Sequence, residues 1–399
     1  MKVVLVSSFP AFPTSAGNRS RILQLALGVR ELGHELTFVY LESPWEVCDD
    51  AAHQAALGSG HFVRIPRKHW RAKWVRDVLV GGIKRALQLA GVDAAHYSRL
   101  DRFRDRGFLA ALRALQLRPD VVLVEYVLDS WAFDAFPATA HRVLDTHDAF
   151  GDRHKPYLAR GMQDYWISLR PADENAGFRR AHVVLAIQQE EADRFRAQLV
   201  GDGRSGDPEV ALVGHLLAGC DVEMDYAVDN AAVFLASDNP ANRDALEFLV
   251  SQILPRIVRE IPGFDLKLAG SICRAAPDMP NVTRLGWIED VRSLFARAPV
   301  AINPARAGTG MNIKLLEAMA AAIPCVTTVT GARGLPEALR NGVCVVGDDA
   351  ATEFAAAVVR LARDRALRRE RGLAAREDAK RWHLSHVATL SRCLGAPGT

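Results

Sequence analysis

Residues 304–335, PARAGTGMNIKLLEAMAAAIPCVTTVTGARGL, decide how the rest of the chain is read. An apolar strand, Val300 to Ile302, leads into Gly308, Thr309 and Gly310, which are expected to open a helix. The unpaired backbone N–H groups and dipole of such a helix start would face the ligand crevice, a setting suited to an anion. Lys314 and Glu317 fall one helical turn apart on one face, a cation for phosphate beside a carboxylate that can accept two hydroxyl hydrogen bonds. Ile323 and Pro324 then end the helix, Cys325 to Thr327 read as the next strand, and Gly331 and Gly334 make a loop where backbone can approach a ligand. Read alone, one Gly-x-Gly fits equally an ordinary βαβ unit whose glycines only turn the chain.

The whole string is more specific. It resembles the donor-binding segment of the family 4 glycosyltransferases, a retaining, two-domain (GT-B) group, in the subset that reads G-T-G, then K, two residues, E-A-M-A, then P, V-T-T and later G-A-x-G-L. Ile323 stands where a glycine is common. The resemblance implies that Arg306, Lys314 and the amides of Gly308, Thr309, Gly310, Met311 and Asn312 hold the donor's diphosphate, while Glu317 holds the ribose hydroxyls. It implies a nucleotide-diphosphate sugar as donor substrate, with no cofactor and no metal required. Two family features are missing. Thr309 occupies the position of the first of two glutamates eight positions apart, and SDNPANRD fills the stretch where an Arg and Lys pair is usual.

Outward from that segment, short apolar strands alternate with amphipathic helices in both halves. At 399 residues the chain exceeds one core and suits two domains of roughly 200 each. Residues 1–220 are expected to form an acceptor-side Rossmann-like domain and 221–380 a nucleotide-sugar-binding one, with a helix at about 380–399 packing back on the first. The fold class is thus α/β, two doubly wound domains facing across a cleft.

In the first half, Val3 to Val6 feed a Ser-, Pro- and Gly-rich loop, and a helix bearing Ile22, Leu25, Ala26 and Val29 closes at Gly33. By the resemblance Gly17 lets the backbone approach the donor's diphosphate, with Asn18 and Arg19 on the acceptor side; the bland reading is that Gly17 merely starts the helix. Val121 to Val124 and Val143 to Asp145 read as buried strands, placing Glu125 and then Thr146-His147-Asp148 at carboxyl ends, which line the ligand crevice of open parallel sheets. The DTHD string is similar to the place where related transferases keep a histidine by the sugar's anomeric carbon, so His147 is a catalytic candidate and Glu125 and Asp148 acceptor-side candidates. A structural histidine bonded to backbone is the alternative. AHVVLAIQQEEA follows a family pattern, with His182 in place of the usual aspartate. In the second half, Gly270 after a strand, and Trp287 and Ile288 after another, are expected donor contacts.

Between 64 and 85, arginines and lysines interleave with tryptophans and aliphatics. Two readings stand: a solvated basic helix, or a peripheral contact with anionic membrane. A net charge of +3 does not call for nucleic acid, no zinc-finger spacing, RNP motif or long basic run appears, and no nucleic-acid partner is expected. The six cysteines (Cys48, Cys220, Cys273, Cys325, Cys344, Cys393) are scattered, as in a reduced compartment, and no metal-ligand cluster stands out. The apolar run at the N-terminus is too short for a secretory signal, and no segment reaches the ~18 apolar residues of a membrane span. A cytoplasmic location, peripheral at the inner face of the membrane, is expected.

The function expected is a retaining hexosyltransferase-type enzyme moving sugar to a glycan, lipid-linked or small-molecule hydroxyl, in cell-surface polysaccharide or glycoconjugate synthesis. A non-catalytic nucleotide-sugar-binding protein, or an epimerase or phosphorylase on the same fold, stays open. A nicotinamide dehydrogenase does not fit, since neither βα loop carries Gly-x-Gly-x-x-Gly with an acidic residue about 20 further on.

Overall fold

The computed structural model describes residues 1–14, 16–67, 70–159, 161, 163, 165–203, 205–217, 226, 230–288, 294–295, 298–308 and 310–395, with 70–79 described by backbone alone. Thr309 and Asp290, like Cys220 and the 218–225 stretch of the expected domain boundary, lie outside the described residues. Two compact units emerge, Met1–Leu216 with Val387–Thr399, and Leu217–His386.

The first unit is built on a seven-stranded parallel sheet of order β3-β2-β1-β4-β5-β6-β7. Its strands are β1 (Lys2–Ser7), β2 (Glu35–Leu41), β3 (Phe62–Ile65), β4 (Val121–Glu125), β5 (His141–Asp145), β6 (Val183–Ala186) and β7 (Glu209–Leu212). Helices cover both faces, so strand residues are apolar on both sides. Val4, Val6, Val122 and Val124 feed one core cluster and Val3, Leu5, Val121 and Leu123 the other. The order reverses between β1 and β4, the switch point where a doubly wound sheet opens a crevice.

Helix Gly17–Glu31 follows β1 and ends as expected at Gly33, whose φ of 78° lets His34 N–H reach the Val29 carbonyl at 3.3 Å. Leu390, Cys393 and Leu394, from the end of helix Arg365–Cys393, join the core beside this helix, and the Cys393 carbonyl lies 2.9 Å from His141 Nε2.

The second unit repeats the plan with six parallel strands in the order β10-β9-β8-β11-β12-β13. These are β8 (Ala231–Leu235), β9 (Asp265–Ala269), β10 (Val282–Gly286), β11 (Ala301–Asn303), β12 (Cys325–Thr328) and β13 (Val343–Val346). Its switch point lies between β8 and β11. The expected pair of doubly wound α/β units is therefore present. Among the described residues, no helix is long and apolar enough to cross a membrane, and the described cysteines are all free.

Helix Ile313–Ala320 differs from the sequence reading at both ends. It begins at Ile313, not at the glycines, because Asn312 adopts an extended backbone and its side chain caps the Leu315 N–H at 3.3 Å. At its other end Ala322 N–H donates to Met319 O at 2.9 Å and Ile323 N–H to Ala318 O at 3.0 Å, a Schellman closure. The left-handed residue of that closure is Ala322, with φ 59°. The position that favours glycine is thus Ala322, one residue before the Ile323 singled out from sequence.

Candidate functional site

In the second unit, the carboxyl ends of β8 and β11 border a small pocket, about the size of one water, lined by Leu235, Asn303, Asn312 and Lys314, among others. Lys314 and Glu317 meet, Nζ to Oε2, at 3.0 Å. The Lys314 side chain is 35% exposed and that of Glu317 19%, so the ammonium is neither buried nor lost to bulk solvent.

Arg333, which sequence reasoning passed over, organises the glycine loop. It donates through Nη1 to the Gly308 carbonyl at 2.6 Å and through Nη2 to the Gly310 carbonyl at 2.7 Å. A trans peptide points its N–H opposite its C=O, so holding the Gly310 carbonyl aims the Met311 amide away from Arg333. Gly308 has φ 136°, and a Cβ there would meet Arg333 Nη2 at 3.2 Å. Gly331 is tightly packed: its carbonyl accepts from Asn303 Nδ2 at 3.1 Å, and an added Cβ would collide with Thr327 and Asn303.

Three expected donor contacts are otherwise engaged. Arg306 is shared by Asp244, at 2.6 Å, and Asp349, at 3.2 Å, and lies over the Phe248 ring at 4.5 Å. These partners already satisfy its charge. Asn312 uses its side-chain oxygen as the helix cap described above. Gly270 donates its N–H to Gly286 O at 2.7 Å, and with φ 89° it packs so closely that a Cβ would fall on the Ala236 carbonyl oxygen. It is a structural turn. Trp287 is 57% exposed after β10, and Ile288 packs partly against the core.

In the first unit, a buried polar cluster gathers at the carboxyl ends of β4 and β5. Arg21 Nε donates to Asp145 Oδ2 at 2.8 Å, and its Nη2 to Asp145 Oδ1 at 2.5 Å and to the Val213 carbonyl at 2.8 Å. His147 Nε2 lies 2.5 Å from Glu125 Oε2 and 3.2 Å from Asp145 Oδ2. Burial raises the Glu125 carboxyl well above its ordinary range, helped by the Asp145 charge, and so favours its neutral form. Burial also works against the charge of Asp145, but Arg21 and His147 outweigh it, and that carboxyl falls below its usual value. Desolvation lowers His147 to about 4, against the pull of Asp145, so the imidazole is neutral near pH 7. Nε2 is thus the ring nitrogen that faces the two carboxyl groups.

Glu125, Asp145 and His147 offer three ligand atoms within 4.8 Å of one another, a set that could take a cation. The Arg21 guanidinium already neutralises Asp145, and its charge opposes a second cation beside it.

Around this cluster, Asn18 hydrogen-bonds the Tyr126 hydroxyl, and Asp148 pairs with Arg153 at 2.5 Å. Arg19, an expected acceptor-side residue, is buried instead, donating to the Pro13 and Val47 carbonyls and paired with Glu46. It ties loops together. Gly17 begins its helix. Sequence reasoning missed the role of Arg21. The signal existed, since Arg21 shares the helix stripe of Leu25 and Val29, where a charge requires a partner.

By sequence, residues 229–364 match the family described as Glycosyl transferases group 1. No curated protein matches the chain. Among solved structures, a mutant of S. aureus TarM, in complex with Fondaparinux, alpha-GlcNAc-glycerol and UDP, is similar at 10% identity and TM-score 0.65, covering 99% of this chain and 100% of that one. Anabaena HepE, in complex with UDP and glucose, is similar at 13% identity and TM-score 0.65, covering 99% and 100%. Sucrose-phosphate synthase from Thermosynechococcus elongatus gives 14%, 0.63, and 98% of both chains. The fold is thus that of the GT-B glycosyltransferases, and within the second unit residues 229–364 are similar to the group 1 family.

Proposed function

We propose that this protein is a retaining glycosyltransferase that moves a hexose from a nucleotide-diphosphate sugar to a hydroxyl of a glycan, lipid-linked or small-molecule acceptor, in the synthesis of cell-surface polysaccharide or glycoconjugate. The observation that carries this reading is the Lys314–Glu317 pair, 3.0 Å apart beside the switch-point pocket of the second unit. Cleavage of the bond from the anomeric carbon to the diphosphate leaves positive charge on the sugar and negative charge on the departing phosphate. Lys314 and the amides presented by the Arg333-clamped loop stabilise that phosphate. Glu317 accepts from the ribose hydroxyls. The acceptor oxygen forms the new bond on the face the phosphate leaves, and its proton passes to a phosphate oxygen, so no protein nucleophile and no metal is used. The cluster around His147 serves the acceptor.

The test pairs binding with transfer. UDP, GDP and TDP are screened for a rise in melting temperature, since a ligand selective for the native state stabilises it by mass action. The matching sugar nucleotides are then assayed, and the anomeric configuration of the product is read by NMR. Binding with no hydrolysis or transfer would leave a binding protein only, and transfer that loses nothing on Lys314→Ala would remove Lys314 from its role at the leaving phosphate. An inverted product would remove the retaining mechanism.

We also assign this chain a peripheral cytoplasmic place on anionic membrane through 64–85. In support, Val80, Ile83 and Leu87 follow helical spacing along Trp70–Leu89 and are 48%, 65% and 43% exposed. Co-sedimentation that does not distinguish neutral from anionic vesicles would remove this assignment.

A further inference from the structure

Among the described residues, eight non-glycine positions hold a positive φ. The three that carry an aromatic or imidazole ring, Tyr126 (66°), His147 (58°) and Trp166 (59°), come together in one place. The left-handed region costs an ordinary L-residue about 1–2 kcal/mol, and such strain persists where surrounding structure holds it for a purpose. Here the three rings pack into one cluster. Tyr126 and His147 stack at 4.1 Å with planes 5° apart. Trp166 stands edge-on to Tyr126 at 6.0 Å, to Phe9 at 6.0 Å and to Phe150 at 5.6 Å. Tyr126 is buried, yet Trp166 remains 49% exposed although it packs among three rings.

We infer that Trp166, backed by Phe9, Tyr126 and Phe150, is an aromatic platform that seats a pyranose ring of the acceptor beside His147. The chemistry fits a sugar better than an aliphatic chain. An aromatic face carries negative quadrupole charge and attracts the weakly positive C–H face of a pyranose, whose equatorial hydroxyls then point sideways to polar groups. Such groups border the platform: the Asp148–Arg153 pair, with Arg153 over the Phe150 ring at 5.3 Å, and Asn18 on the Tyr126 hydroxyl. The His147 ring itself is stacked on Tyr126.

This inference rests on the acceptor being a carbohydrate, as proposed above, and its test is built to fail separately. Methyl glycosides of glucose, galactose, mannose and N-acetylglucosamine are used as probes with the full chain, and saturation-transfer NMR reads their ring protons. The expected result is saturation by the wild type with at least one probe, loss with Trp166→Ala, and retention with Trp166→Phe. In transfer assays Trp166→Ala should raise the acceptor KM about tenfold, as expected for losing one aromatic contact, while donor KM and donor hydrolysis stay unchanged. Equal saturation in wild type and Trp166→Ala, no saturation with any probe, or a rise in donor KM alone would each overturn the platform. Failure of UDP, GDP and TDP to bind would instead count against the proposed function. Because Trp166 is half exposed, the alanine variant should keep the wild-type melting temperature to within a few degrees.

Discussion

The guanidinium of Arg333 donates to the carbonyl of Gly308 at 2.6 Å, and its second nitrogen takes the Gly310 carbonyl at 2.7 Å. This forked geometry belongs to arginine, because lysine offers a point charge rather than two fixed parallel donors. Arg333→Lys is therefore expected to behave much like Arg333→Ala. Both should raise the donor KM about tenfold or more and lower stability by about 1 kcal/mol, as two part-buried carbonyls lose partners. Acceptor KM should not move. Full donor affinity in Arg333→Lys would show that the loop keeps its shape without the fork.

Lys314 and Glu317 lie close enough to neutralise one another when no phosphate is present. Lys314→Ala should lower kcat by about 10²–10³, the usual cost of removing one electrostatic contact to a leaving group. Because the side chain is 35% exposed, the melting temperature should hardly change. Glu317→Gln keeps the shape and hydrogen-bonding reach but removes the charge, so the effect should fall mainly on donor KM. A kcat loss from Glu317→Gln as large as that from Lys314→Ala would place the glutamate at the reacting centre instead.

How much of this was legible can be traced residue by residue. Val3–Val6 and Val121–Val124 announced buried parallel strands because helices cover both faces, and Gly33 announced its helix end because only a left-handed residue closes it there. The Lys314–Glu317 pair was legible because its geometry is local, three residues along one helix. The partners of Arg19 and Arg306 were not legible, for the opposite reason. Glu46, Asp244 and Asp349 lie 27, 62 and 43 residues away in sequence, so each arginine looked like an available cation beside a glycine loop. The glycines drew the helix start toward themselves, although Asn312 before Ile313 carried the true cap signal. Asp145 was visible at a strand end, but nothing local revealed that Arg21, 124 residues away, would hold it.

Removing Arg21 would strand Asp145 in a buried site next to Glu125. Breaking one side of a buried ion pair costs about 3–5 kcal/mol, so Arg21→Leu should lose that much at pH 7. Without the guanidinium, burial pushes the Asp145 carboxyl upward, against the hydrogen bond from Glu125 and the pull of His147. In the variant, folded Asp145 then holds its proton above the unfolded value of about 3.8. The deficit should accordingly shrink as pH falls toward 5, measured by urea denaturation. A deficit independent of pH would mean that lost packing, not stranded charge, is the cause. His147→Ala should instead lower transfer by about 10² while leaving donor binding intact.

Gly270 separates a structural glycine from a ligand-binding one. Its φ of 89° and ψ of −173° lie in a region open essentially to glycine alone, and an added Cβ would strike the Ala236 carbonyl oxygen. Gly270→Ala should cost about 2 kcal/mol or more in stability. The fraction that stays folded should keep the donor KM of the wild type. A large rise in donor KM with unchanged melting temperature would return Gly270 to the donor site.

Glu191, in the first turn of helix Gln189–Gly201, gives the clearest test by pH. Burial, with Asp148 adding repulsion and Arg21 opposing, raises its carboxyl to about 8. The unfolded chain releases this proton near 4.5, so between pH 4.5 and 8 the native state binds a proton that the unfolded state has lost. Stability from this group is thus complete below pH 4.5 and drains away as pH rises toward 8, at up to roughly 1.4 kcal/mol per pH unit. Glu191→Gln removes the proton exchange while keeping the shape. Its melting temperature should exceed that of the wild type at pH 8, and the gap should close by pH 5. A gap that stays constant across that range would show that Glu191 is already ionised in the folded protein, with Arg21 rather than burial setting its charge.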